Sequence, residues 1–306
     1  RRRPTRSRAT ILSTCVLCNA TFDPRTAVMW HKDGYDVVRC PSCGLVFRAE
    51  LPDEHDLLAI YDDEYFRDHA DRADRHGYSD YLRDEPLHRA NARRRVRLLA
   101  AHLPAAGGPL LDVGCAAGFF VDEARRAGWD ASGVDVSPGM VEWARRELEV
   151  PVVRGTFVEA EIANVPLDAV TMWDYIEHSL DPRRDLEKAR ALLRPGGIVA
   201  ISTGDVGSVA ARLSGRRWHL LTPEHHNFFF DRATLGRLLA KTGFTILDRR
   251  HRGSLYSSAH VLYKLSALGW LRPLRGTVER LGRTTLGTIA VPLNLYDIVT
   301  VIARRA

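Results

Sequence analysis

From residue 109 onward, apolar and polar positions follow a repeating scheme of short apolar runs, turns and longer amphipathic stretches. Residues 109–113 read as a buried strand, 116–127 as a helix stopped by Gly128, and 130–134 as a second strand. Ser137-Pro138 opens a helix running to about residue 148, with serine as cap and proline in the first turn. Residues 150–154, 169–173 and 198–202 supply three further strands, and Asp181-Pro182 caps a helix that ends before Pro195-Gly196-Gly197. A helix over 231–240, closed at Gly243, precedes a strand over 244–249. Strands separated by helices predict an α/β fold, with a largely parallel sheet, helices on both faces and right-handed crossovers. Upstream, Leu87, Ala90, Val96, Leu99 and Leu103 recur among arginines, predicting an amphipathic helix over 84–103 with a broad polar face.

The chain has 306 residues, 45% of them hydrophobic, enough for one full α/β domain and a smaller unit. The expected division is a basic tail (1–10), a cysteine module (11–48), a helical cap (49–103) and a core (104–306) with a helical insertion at about 254–292. The net charge of +6 suits an ordinary enzyme as well as a phosphate, nucleic-acid or anionic-membrane partner. Acidic residues are interspersed almost throughout, which weighs against nucleic acid; five arginines crowd the first eight positions. No run approaches 18 apolar residues and no apolar signal core is visible, so a cytoplasmic location is expected. Within 263–292, Leu265, Leu268, Trp270, Leu271 and Leu274 mix with Arg272 and Arg275, a pattern that suits a peripheral membrane contact, a homodimer face or a substrate lid.

Cys15 and Cys18 form one C-x₂-C pair, Cys40 and Cys43 another. Two such pairs bring four thiolates onto one ion, the donor set of a zinc ribbon, and a closed tetrahedral shell assigns the metal a structural role. Gly44 follows the second pair, where a knuckle turn needs a permissive backbone, and His31 is expected to stay outside the completed shell. A redox dithiol or buried free thiols are the rival readings.

Asp112-Val113-Gly114-Cys115-Ala116-Ala117-Gly118 ends one strand and opens a helix. Glycines there permit close backbone approach to a ligand, and a helix start offers free N–H groups. Asp135 ends the next strand, where a carboxylate can bind both hydroxyls of a ribose, and no phosphate-grabbing lysine follows the glycines. The ligand expected is a nucleoside without a polyphosphate. LLDVGCAAGFF, GVDVSPGM, AVTMWDYIEHSLDP and LLRPGG, in this order, resemble the class I S-adenosylmethionine-dependent methyltransferases, and the chain is similar to their ubiquinone-methyltransferase-like group over about 80–250. The resemblance implies a Rossmann-like parallel sheet with a final antiparallel strand near 296–303. It also implies S-adenosylmethionine (SAM) as cofactor. Asp112 would orient its methionine end, and Gly114, Cys115 and Gly118 would line it. Asp135 would hold the ribose, Val136, Thr156 and Phe157 would flank the adenine, and Trp173 and Asp174 would border the transfer cavity. Tyr65 resembles an aromatic residue that closes over the sulfonium.

Methyl transfer depends largely on orientation, and a hydroxyl acceptor gains from a base. His178, in Glu177-His178, is the first candidate base; a patch that starts at Trp218-His219 and continues through His225 and His226, beside Phe228, Phe229 and Phe230, is the second. The expected reaction is O-methylation of a small-molecule acceptor, a sugar or natural-product hydroxyl. The alternatives are an RNA methyltransferase that uses the cysteine module for recognition and a natural-product C- or N-methyltransferase.

Overall fold

The protein is described by a computed structural model covering residues 10–53, 81–103, 107–259, 261–262, 284, 287 and 289–306. Tyr65, the tail and most of 263–292 lie outside the described residues.

In the leader, β1 (Thr10–Ile11) pairs with β5 (Glu50–Leu51), while β2 (Val28–Lys32), β3 (Tyr35–Arg39) and β4 (Val46–Arg48) form an antiparallel meander. The first long helix, α1 (Glu85–Ala100), buries Leu87, Ala92, Val96 and Leu99. Arg89 ties it to the next helix, donating to Asp122 at 2.5 Å and Glu123 at 3.0 Å. The alternating core follows: β6 (Pro109–Val113), α2 (Phe119–Arg126), β7 (Asp130–Asp135), α3 (Pro138–Glu147), β8 (Val152–Arg154), β9 (Leu167–Trp173), α4 (Pro182–Leu192) and β10 (Leu193–Gly204). It closes with α5 (Val209–Ser214), β11 (Phe228–Phe229), α6 (Arg232–Lys241), β12 (Phe244–His251), β13 (Ser254–Ser257), β14 (Ala290–Leu293) and β15 (Ile298–Arg305).

The main sheet has the order β12-β15-β10-β9-β6-β7-β8, with β15 antiparallel to both neighbours. The parallel sheet and its final antiparallel strand are those of a class I methyltransferase-like α/β fold. Strand order reverses at β6, which has β7 on one side and β9 on the other. Ligands of open α/β sheets bind in the crevice beyond the strand ends at such a point. The expected caps are in place: Ser137 Oγ accepts from Met140 N, Asp181 from Arg183 and Arg184 N, and Asp231 completes a capping box with Thr234.

Three features depart from the local pattern. β10 begins at Leu193, paired with Leu167, and passes through Pro195-Gly196-Gly197 as an irregularity before regular pairing resumes at Ile198. β11, from the aromatic run, adds to the leader sheet beside β4. The β13–β14 ladder joins two segments more than thirty residues apart in sequence and is pinned to α1, where the Asn91 side chain exchanges hydrogen bonds of 2.9 and 2.8 Å with the Leu255 backbone. The leader also shares one apolar core with the main domain: Cys15, Leu17, Val38, Cys40, Leu45 and Phe47 cluster with Phe228, Phe230, Leu235 and Val299.

Candidate active site

Asp112 is the penultimate residue of β6, at the switch point, buried and accepting from Thr171 Oγ1 at 2.6 Å. Burial raises its carboxyl to about 7; the Thr171 hydroxyl opposes this and neighbouring Asp135 adds to it. The chain then turns through Gly114, at φ +72°, and Ala116, at φ +46°, into Gly118, at φ +77°. A Cβ on Gly114 would stand 2.8 Å from Tyr175 Cδ2, so both backbone conformation and space require glycine. Asp135, at the end of β7, accepts from Ala116 N at 2.7 Å and Ser137 N at 2.9 Å, binding the glycine turn to the start of α3. It is buried, and burial pushes its carboxyl up despite those N–H donors.

Cys115 packs inward: a Cβ on Gly133 would lie 2.5 Å from its Sγ, so its side chain fills core space while its backbone forms the turn. Val136 is half-buried beside Asp135. Thr156 donates to Glu159 at 3.3 Å, and Phe157 is buried with the Lys188 ammonium 5.2 Å above its ring.

At the end of β9, Trp173 and Asp174 meet Arg95 of α1. The guanidinium lies 4.8 Å above the Trp173 ring and donates to Asp174 at 2.9 Å. Ser202 Oγ donates to the other Asp174 oxygen, also at 2.9 Å. Trp173 Nε1 is buried without a hydrogen-bond partner among the described residues, a donor available to a ligand.

Three of the histidines singled out in the sequence lie together, one step beyond β9. His178 is half-buried, its Nδ1 at 3.0 Å from the His225 carbonyl; desolvation lowers its imidazole to about 4, against the effect of that carbonyl. His226 places Nδ1 at 2.9 Å from the Leu220 carbonyl, and its ring stands edge-on to His178 with centroids 4.7 Å apart. His225 is half-buried. Asn227 welds the two loops, donating to the His178 and Ser179 carbonyls at 3.0 and 3.2 Å.

Two further imidazoles lie on this rim: His219, which the sequence places with Trp218 in the second candidate patch, and His251, which had no local signature. His219 Nε2 lies 2.7 Å from Asp297 Oδ2, which also accepts from Trp218 Nε1 at 2.9 Å. The Asp297 side chain is 3% exposed and that of His219 29% exposed. Burial works to raise Asp297, but His219 and Trp218 outweigh it and hold the carboxyl below the usual range. On the adjoining strand end, His251 Nε2 lies 2.8 Å from the buried Asp205, whose backbone N donates to the Asp297 carbonyl at 2.7 Å. Tyr256 of β13 joins this rim to the end of β9: burial first, then the charges of Asp174 and Asp297, raise its phenol to about 12. Strand pairing of β10 with β15 brings these residues together, so their partnership is absent from any short window of sequence.

The four leader thiols also converge. Asn19 N returns to the Cys15 carbonyl at 2.8 Å and Gly44 N to the Cys40 carbonyl at 2.9 Å, two matching knuckle turns. Cys15 and Cys43 Sγ are 3.5 Å apart, Cys18 and Cys40 Sγ 3.7 Å. Tetrahedral sulfurs on bonds of about 2.3 Å stand roughly 3.8 Å apart, so the cluster fits one metal ion. His31 is outside it, exposed and paired with Asp36 at 2.5 Å.

Residues 81–249, over half of the chain, match the family described as a methyltransferase domain, and the chain belongs to that family. It is an S-adenosylmethionine-dependent methyltransferase. A ubiquinone biosynthesis O-methyltransferase of Cereibacter sphaeroides strain KD131 is 31% identical over 182 residues, 56% of this chain and 73% of that protein. Magnesium protoporphyrin IX methyltransferase from Synechocystis PCC 6803, solved with bound SAM, superimposes with a TM-score of 0.50 at 15% identity, covering 84% of this chain and 98% of that one. A structure of the complex between the Haloferax volcanii Trm112 methyltransferase activator and the putative methyltransferase gives 0.52 at 17% identity, covering 73% and 93%. At these identities the two solved structures speak for the fold. Among the described residues no helix is long and apolar enough to cross a membrane.

Proposed function

We propose that the protein transfers a methyl group from SAM to a hydroxyl of a small molecule, a sugar or a natural product. The observation that carries this reading is the placement of the His219–Asp297 pair on the same rim of the sheet as the Asp112–Gly118 turn and the Trp173–Asp174 end of β9. The name of the Cereibacter relative points to the same acceptor atom, oxygen.

In this reading Asp112 receives the amino group of the methionine moiety, Gly114 and Gly118 let the backbone approach it, and Asp135 takes the ribose hydroxyls. Phe157, Val136 and Thr156 border the adenine. When bound, SAM would supply an electrophilic methyl group on a sulfonium, the S–C bonding pair staying with sulfur as the acceptor oxygen takes the methyl. Trp173, braced by Arg95 and Phe120, walls the cavity in which acceptor and methyl group align. The acceptor proton passes to His219. Because Asp297 engages Nε2, Nδ1 carries the lone pair, and the carboxylate steadies the imidazolium that forms. His178 has a weaker claim to this step, since burial disfavours its charged form. His225 and His226 hold the aromatic loop over the same rim.

We assign the leader cysteines to a structural zinc ion held by Cys15, Cys18, Cys40 and Cys43. Lys241 and Arg183 donate to the Leu17 carbonyl at 2.9 and 3.2 Å, so the cluster is anchored on the core. Cys40→Ser is therefore expected to lower the melting temperature of the whole chain by about 5 °C or more, rather than melt the leader alone. Calorimetry of wild type and variant in metal-buffered solution measures this; an unchanged transition removes the metal from the account.

The reaction is tested by incubating the protein with methyl-labelled SAM and separate RNA and small-molecule fractions. Label is expected in small molecules, on oxygen. Label in RNA alone would refute the reading and make the cysteine module an RNA contact.

A further inference from the structure

Among the described residues, Glu177, His178 and His226 form a cluster of metal-ligating groups in which the steps assigned above leave Glu177 without a role. A carboxylate oxygen of Glu177 and one ring nitrogen from each histidine lie within 4.8 Å of one another. Glu177 is 5% exposed, and its Oε2 is buried with no hydrogen-bond partner among the described residues. A buried carboxylate oxygen in that condition calls for a proton or a cation.

The histidines bear on which of the two it is. A carbonyl oxygen can only accept, so the bond from His178 to the His225 carbonyl fixes the hydrogen on Nδ1, and that from His226 to the Leu220 carbonyl does the same. In each neutral ring the lone pair then belongs to Nε2. This is the arrangement by which backbone carbonyls orient metal-ligating histidines. The two loops are held in register by Asn227 and by the Glu177 carbonyl, which accepts from Asn227 N at 2.8 Å and Phe228 N at 3.1 Å. Donor atoms around a tetrahedral ion with bonds of roughly 2.1 Å stand about 3.4 Å apart, so the cluster would contract on binding one. Beside them is a cavity of about 10 Å³, lined by Glu177, His226, Thr203 and Trp218, which has room for one water. Thr203 Oγ1 is buried there beside the Glu177 carboxyl, which its hydroxyl helps to keep charged against the effect of burial.

We propose that Glu177, His178 and His226 form a second metal site, separate from the cysteine cluster, that binds one divalent transition ion of the zinc class. Two imidazoles and a carboxylate are borderline donors suited to zinc, cobalt or iron(II), and three protein ligands leave a position for water. The ion would neutralise the buried Glu177 and fasten the loop after β9 to the aromatic loop before β11.

The test is metal content and cobalt spectroscopy on the intact chain. Wild-type protein, dialysed against buffered Zn²⁺, is expected to retain two ions per chain. Glu177→Gln, which keeps side-chain volume, is expected to retain one. With Co²⁺, the near-ultraviolet thiolate-to-cobalt band should be the same in wild type and Glu177→Gln, while a separate visible d–d contribution without sulfur character disappears in the variant. Cys40→Ser should show the reverse, which separates this site from the zinc assignment above. If the wild-type Co²⁺ spectrum contains only sulfur-ligated cobalt, or if Glu177→Gln leaves metal content and spectrum unchanged, the site does not exist and Glu177 carries a proton instead. Should Glu177→Gln fail to fold, the wild-type stoichiometry and the sulfur-free cobalt spectrum decide the matter alone.

Discussion

Asp112→Asn is expected to yield a cofactor-free protein that is more stable at pH 8 than the wild type and that binds SAM more weakly. The stability gain follows from proton linkage. Asp112 has an ordinary value of 3.8 and is raised to about 7 by burial in the folded chain. Below pH 4 both states are protonated and burial of the side chain carries no ionisation cost. As pH rises from 4 to 7 the unfolded chain releases the proton while the folded chain holds it, so stability falls across that window. Above 7 the full cost is present, on the order of a few kcal/mol. Asparagine never ionises and can still accept from Thr171 Oγ1, so the variant's melting temperature should fall less steeply between pH 4 and 7 than that of the wild type, the remaining decline coming from other buried carboxyls such as Glu177 and Asp185. The same substitution removes the carboxylate proposed to receive the methionine amino group. Loss of one charge-assisted hydrogen bond predicts about tenfold to hundredfold weaker SAM binding. Thermal scans from pH 4 to 8 and calorimetric titration with SAM give the two readings. A variant that binds SAM as tightly as wild type would remove Asp112 from the cofactor site.

His219→Ala carries the second large expectation, a fall in kcat of about a hundredfold or more with the SAM dissociation constant unchanged within about twofold. Asp297 retains Trp218 as a donor in this variant, so the buried carboxylate keeps a partner. Three readouts separate a base from a packing residue. The acidic limb of the pH–rate profile should disappear, added imidazole should restore part of the rate, and Asp297→Asn should reduce kcat less than His219→Ala. Unchanged turnover in His219→Ala, or a loss confined to SAM affinity, would return the base assignment to the His178, His225 and His226 loop.

Much of this molecule is legible in short windows. The strand over 109–113, the glycine turn and Asp135 depend on side chains a few positions apart, and so do the serine and aspartate caps of α3, α4 and α6. The paired C-x₂-C segments work the same way, since each knuckle is closed by a hydrogen bond across four residues. Arg95 is a different case. It stands in an arginine-rich helix where nothing local distinguishes it from Arg93 or Arg94, and only its approach to Trp173 and Asp174 gives it a role. Phe228 and Phe229 read as a loop of aromatic residues; they are a strand because β4 supplies the partner backbone.

By itself the sequence determined the α/β alternation, the helix boundaries set by caps and glycines, the two thiol pairs and the carboxylates beside the glycine turn. These rest on backbone preference and apolar periodicity, which act over a few residues. Only the tertiary structure decided that the leader shares the main core. It alone placed Asp297 against His219 across 78 residues, and gathered Glu177, His178 and His226 around one point. Those outcomes depend on strand order, on antiparallel pairing of β15 with β10, and on which polar groups burial leaves to satisfy one another. Such partners are chosen by the packing of the whole chain, and no local periodicity encodes them.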